Sequence, residues 1–179
     1  MINWHWEKVD TLECQGKWNE AKDYMYEEWR KDSLNVKKYL RLSFLCWYIV
    51  VESGCLNDPK INSEEYENIL LEIKDFGFKH FGQDSEFLWI YGYMVSLFPY
   101  YFGEYEEWEE KGQQMIYEAH QLRPQDSIIK LVYIRGLPSS VIPGIKDLER
   151  TTVNEALSLR FKGNGQLQRY FKEVLKCKI

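Results

Sequence analysis

The chain has few of the residues that announce chemistry. Its three histidines, His5, His80 and His120, stand far apart, and neither HExxH nor any other standard ligand spacing occurs, so no metal site is expected. Phosphate loops, dinucleotide fingerprints and GxSxG elbows are also missing, which leaves no cofactor to expect and makes an enzyme the weaker reading. The four cysteines, Cys14, Cys46, Cys55 and Cys177, include no CxxC pair. Without a secretion signal, free thiols are expected in place of disulfides, zinc or a redox centre.

Long apolar runs are scarce too. The longest, Phe44 to Val51, is far short of the about 20 residues that span a bilayer, and the opening MINWHWEKVD has no basic region followed by an apolar core. A cytoplasmic protein with no membrane association is the expectation. Positive charge is in deficit, with 23 Lys and Arg against 28 Asp and Glu for a net charge of −5. That balance disfavours direct nucleic-acid binding and permits a basic partner. The basic interval of Lys22, Arg30, Lys31, Lys37, Lys38 and Arg41, followed later by Lys172 and Lys176, is of the kind that collects at helix boundaries.

What is present is material for a core. Hydrophobic residues make up 45% and charged residues 28% of 179 positions, which suits a single domain over residues 1–179. Seven Trp and thirteen Tyr exceed what a core ordinarily takes, so they read either as core filling alone or as core plus a binding face.

Periodicity of three to four residues predicts an all-α fold of about seven or eight helices. Residues 2–15 and 18–30 form a first hairpin around the Gly16-Lys17-Trp18 corner, with Ala21 as the small residue at the approach of its two helices. Residues 36–53 and 63–81 form a second, with Gly77 a weak point. The third is Phe87 to Pro124, FLWIYGYMVSLFPYYFGEYEEWEEKGQQMIYEAHQLRP, in which Pro99 kinks or ends the first helix. A shorter helix follows from Asp126 or Ser127, then an irregular stretch at 135–147, a helix from about Thr151, and a terminal helix over 166–177 that could cover the open end of the stack.

Two corners superimpose: Gly16-Lys17-Trp18 with Ala21 three residues beyond, and Gly103-Glu104-Tyr105 with Trp108 at the same offset. With Ala119 and Pro124 closing the later hairpin, the pattern resembles a degenerate tetratricopeptide array. The family's small residue falls at Trp108 by the corner count and at Gly112 counting back from Pro124, so the second helix reads as longer than the family norm.

The run FLWIYGYMVSLFPYYFG followed by Tyr105-Glu106-Glu107-Trp108 is similar to small bacterial immunity proteins of contact-dependent and other polymorphic toxin systems. That resemblance implies stoichiometric binding and neutralisation of a cognate toxin, often a nuclease domain, and supplies no catalytic residues to carry over. The expected surface is Tyr100, Tyr101, Glu104, Glu106, Glu107, Glu109 and Glu110. The carboxylates read either as a solvated face or as a complement to a cationic partner. A tetratricopeptide-like peptide-binding adaptor with an open concave groove is the alternative.

Overall fold

Short apolar stripes, each ended by Gly, Pro or a polar turn, fold here into stacked helical pairs. The structure, a computed structural model, describes residues 2–56, 58–137 and 145–176, without the side chains of 153–155. The helices are α1 (Glu7–Cys14), α2 (Trp18–Lys31), α3 (Val36–Leu56), α4 (Ser63–Phe81), α5 (Ser85–Leu97), α6 (Tyr105–Leu122), α7 (Ser127–Arg135), α8 (Ile145–Thr151), α9 (Ser158–Arg160) and α10 (Gln166–Lys176). No strand occurs among the described residues. The fold is all-α: α1 packs on α2, α3 on α4 and α5 on α6 as successive hairpins, and α3 also touches α2 and α5.

Local chemistry sets the boundaries. Gly16 turns the first corner at φ 68°, a left-handed conformation that a side chain would oppose. Asp84 and Asp126 cap α5 and α7, each accepting from two backbone N–H groups of the first turn. Pro99 ends α5 and does not kink it; the helix stops at Leu97 and Pro99–Tyr101 form a single 3₁₀ turn. Gly77 is no weak point: the Tyr39 ring, whose hydroxyl donates to the Ile73 carbonyl at 3.2 Å, fills the place its side chain would take.

Two expected element boundaries need correction. The first helix begins at Glu7, because the Asp10 carboxylate accepts from Trp6 N at 3.2 Å and pairs with His5 Nδ1 at 2.9 Å, holding the preceding residues off the helix. Within the expected irregular stretch, residues 138–144 lie outside the described residues, and Ile145–Thr151 is helix. It continues through a π-helical turn, Thr152–Leu157, into α9. Of the two registers for the small residue of the third hairpin, the count from Pro124 holds: Gly112 stands at the helix approach, and Trp108 is a core residue at 8% exposure.

Gly112 faces Gly92 across the α5–α6 crossing. A Cβ added at Gly112 would stand 2.6 Å from Ser96 N and 2.9 Å from Gly92 O, both backbone atoms that cannot rotate away. In an open helix Gly112→Ala would gain about 1 kcal/mol from helix propensity. Here it is expected to lose about 1–3 kcal/mol instead, because α5 and α6 must separate. Urea denaturation measures the difference, and a net gain would mean the crossing is loose.

The C-terminal helix does not sit on the end of the stack. It lies against the row formed by the first helices of the hairpins, touching α1 and α3, with Phe171 5.7 Å from Phe44 of α3 and 5.0 Å and 5.4 Å from Trp89 and Tyr93 of α5. The α1–α3–α5 face is therefore covered by α10. α3, as long and apolar as a membrane-crossing helix, is thereby covered by α2, α4, α5 and α10 and lies mostly inside the core.

Candidate protein-binding surface

The expected surface straddles the α5–α6 junction. Phe102, buried, stacks on Trp108 at 5.8 Å, and Phe78 of α4 meets the same indole edge-on at 5.8 Å. Lys74 and Lys111 lie over that ring at 4.7 Å and 4.2 Å, and Lys74 Nζ also donates to the Phe102 carbonyl at 3.1 Å. The aromatic cluster around Pro99 is therefore divided. Phe102 and Pro99 belong to the core, Phe98 and Tyr101 are half-buried, and Tyr100 is 55% exposed with its ring 4.4 Å from that of Tyr101. Desolvation, aided by the hydrogen bond with Tyr100, pushes the Tyr101 phenol up to about 12.

Beyond this junction α6 carries the carboxylates. Glu104, Glu106, Glu107 and Glu110 are exposed and Glu109 is half-buried, within reach of the 52% exposed Tyr105, whose hydroxyl stands 3.5 Å from Glu109 Oε1. Residues four apart share a helix flank. Glu107 and Lys111 are so related, and Lys111 lies over Phe78, which places that flank beside α4. Glu106 and Glu110 are likewise related, and Glu110 lines a groove on the α7 side. The expected surface residues are thus brought to one end of α6, but on two flanks.

That groove, about 410 Å³, runs between the end of α5, α6 and the end of α7, with Leu97, Ile116, Tyr117, Tyr133 and Leu137 as its apolar lining. Leu97 is 45% exposed and Tyr117 41%. Neither was expected from periodicity as part of a site. The available signal was Tyr117 itself, an aromatic residue off the Trp108–Gly112–Met115–Ala119 stripe.

Several other charged residues are committed within the fold. Arg41, read in sequence as part of a basic interval, is buried: it donates to Asp10 Oδ1 and Glu13 Oε2, each at 3.0 Å, and to Gln168 Oε1 at 2.8 Å. Burial holds the Glu13 carboxyl above its ordinary range despite Arg41. Lys22 pairs with Glu65 at 2.9 Å, Lys31 with Glu28 at 2.8 Å and Lys38 with Glu28 at 3.4 Å. A second buried network joins Arg160 to Asp126 at 2.8 Å and to Glu86 at 2.6 Å, with Arg123 on Glu86 at 2.9 Å and on Asp126 at 3.1 Å. It borders a cavity of about 420 Å³ at the α6–α7 corner, where two arginines balance two carboxylates.

The histidines are held singly: His5 pairs with Asp10, His80 packs tilted against Phe76 at 4.2 Å, and His120 stacks on Tyr133 at 4.9 Å. Among the described residues no group of three His, Cys, Asp or Glu is placed to hold a metal ion. Cys14, Cys46 and Cys55 are free thiols, while Cys177 lies outside the described residues. Among the described residues none of Glu104, Glu106, Glu107, Glu109 and Glu110 takes part in an ion pair within 4.0 Å. Glu7, Glu27, Glu64, Asp75 and Glu173 are unpaired too but lie scattered along the chain, whereas the five glutamates from Glu104 to Glu110 stand within seven positions.

Comparison with protein-family models, with curated proteins and with solved structures finds no match to this chain.

Proposed function

We propose that the protein is a cytoplasmic immunity protein that binds a cognate bacterial toxin domain, a basic nuclease, and neutralises it by stoichiometric occlusion. The observation that carries this reading is the unspent charge on α6. Five carboxylates, Glu104, Glu106, Glu107, Glu109 and Glu110, enter no ion pair among the described residues, although Lys22, Lys31, Lys38, Arg41 and Arg160 are all paired within the fold. Beside them stand the exposed rings of Tyr100 and Tyr105. Aromatic rings with apolar bodies and polar tips suit the centre of an interface, and a field of one sign steers a partner of the other. A surface of this kind mimics the anionic ligand of a nuclease groove.

Co-expression with the toxin encoded beside it tests the reading, and failure to form a complex or to protect growth removes it. The surface has its own test. The double charge reversal Glu106→Lys with Glu110→Lys is expected to weaken the complex about tenfold or more and to flatten its salt dependence. Both positions are exposed and unpaired, so stability should stay within about 0.5 kcal/mol. Unchanged affinity would place the interface elsewhere.

A further inference from the structure

We infer that the groove between the end of α5, α6 and the end of α7 seats a basic amphipathic segment of the partner protein, an apolar side chain entering the groove while a lysine or arginine meets Glu110 and Glu106. The inference rests on the immunity reading for the partner's identity, and the groove's own chemistry selects the occupant. Its walls are apolar and aromatic, from Leu97, Tyr117, Tyr133 and Leu137. Leu97 and Tyr117, 45% and 41% exposed, leave much of their apolar surface in water in the free protein.

The rim supplies the sign of the partner. Glu110 lines the groove, Glu106 lies one helical turn before it on the same flank, and among the described residues neither has a cationic partner within 4.0 Å. Of the cations on these helices, Lys111 lies 4.1 Å over the Phe78 ring on the opposite flank, Arg135 is held by Glu149 at 2.9 Å and by the Val174 carbonyl at 3.2 Å, and exposed Lys130, one turn before Tyr133, acts on His120 and is not part of the groove lining. The remaining polar lining, Ser96, Gln113 and Gln114, is neutral. An acidic segment would meet two uncompensated carboxylates, and a purely cationic one would leave the apolar walls wet. A segment with both characters satisfies walls and rim together.

The test uses the full-length, isotopically labelled chain and three synthetic helical peptides: leucine on one face with lysine on the other, the same peptide with glutamate for lysine, and an all-lysine peptide. The leucine–lysine peptide is expected to shift the amide resonances of Leu97, Glu110, Tyr117, Tyr133 and Gly136. The glutamate version should leave them in place, and the all-lysine peptide should bind at least tenfold more weakly. Leu97→Asp and Glu110→Lys, both at partly or fully exposed positions, should each lower the leucine–lysine affinity at least tenfold with the melting transition retained. Shifts clustered elsewhere, equal binding of the glutamate peptide, or equal binding of the all-lysine peptide would overturn the inference. The same variants assayed with the toxin separate the two readings. A toxin complex indifferent to Leu97→Asp removes the groove and leaves the immunity function, whereas peptide binding without any toxin complex removes the function and leaves the groove.

Discussion

Arg41→Met is expected to cost about 3–5 kcal/mol of folding stability, among the largest effects open to a single substitution in this chain. The guanidinium is 1% exposed and bridges α3 to α1 and α10: its two terminal nitrogens reach Asp10, Glu13 and Gln168. The carboxylates are tied in turn, Asp10 Oδ2 accepting from Gln168 Nε2 at 2.9 Å and Glu13 Oε2 from the Gln166 backbone at 2.6 Å. Methionine fills a similar volume but leaves two buried carboxylates facing each other without the guanidinium, with only the His5 ring beside Asp10. The penalty comes from that stranded charge and not from the lost bonds, so neutralising it should restore most of the stability. Combining Arg41→Met with Asp10→Asn and Glu13→Gln is the variant that shows this.

Acidity supplies the second readout. Burial already raises the Glu13 pKa in the folded state above 4.5, and removing Arg41 raises it further. A carboxyl whose folded pKa lies above its unfolded value binds its proton more tightly when native. Its stability contribution is therefore fully present below the unfolded value and lost as pH rises through the folded one. The Arg41→Met variant should accordingly regain part of its deficit as pH falls from neutrality toward about 5. Urea denaturation across that range measures it, and a deficit independent of pH would point to packing in place of charge.

This network also shows which features can be read in sequence and which cannot. Helices and their stops are local, carried by apolar residues three or four apart and by Gly16, Pro99 and Asp126 at the breaks, and the all-α fold was legible for that reason. The partners of Arg41 are 28, 31 and 127 residues away. A window of one helix sees only a cation amid YLRLSFLCW, and grouping it with neighbouring lysines as a surface charge missed the one clue, its position inside an apolar run. The disagreement between the Trp108 and Gly112 registers has a related origin. The corner count assumes second helices of equal length, but α2 has 14 residues and α6 has 18, so one helical turn separates the corner offset from the true approach at Gly112. The acidic flank of α6 was legible because it is consecutive. The groove was not, since its walls come from three helices.

Phe171→Ala is expected to cost about 3–5 kcal/mol, which bears directly on how α10 belongs to the fold. Phe171 has no exposed surface and its ring meets Phe44, Trp89, Tyr93 and Phe161 at 5.7, 5.0, 5.4 and 5.3 Å. It therefore joins α3, α5 and the end of α9 through one side chain. Were α10 a latch over a peptide-binding face, trimming Phe171 would release it locally: hydrogen exchange would rise in α10 alone, and the α1–α3–α5 face would open to ligand while global unfolding stayed in place. The polar ties of the same helix argue for the other outcome. Gln168 reaches Arg41, Asp10 and the Trp4 carbonyl, and Lys172 Nζ donates to the Gly163 carbonyl at 2.9 Å. Aromatic packing and buried polar ties on one helix make its detachment nearly as costly as unfolding the hairpins beneath it. The expected result is a lower denaturation midpoint with a single transition, and exchange that rises together in α1, α3, α5 and α10. A separate early transition confined to α10 would restore the adaptor reading in which that face is a site.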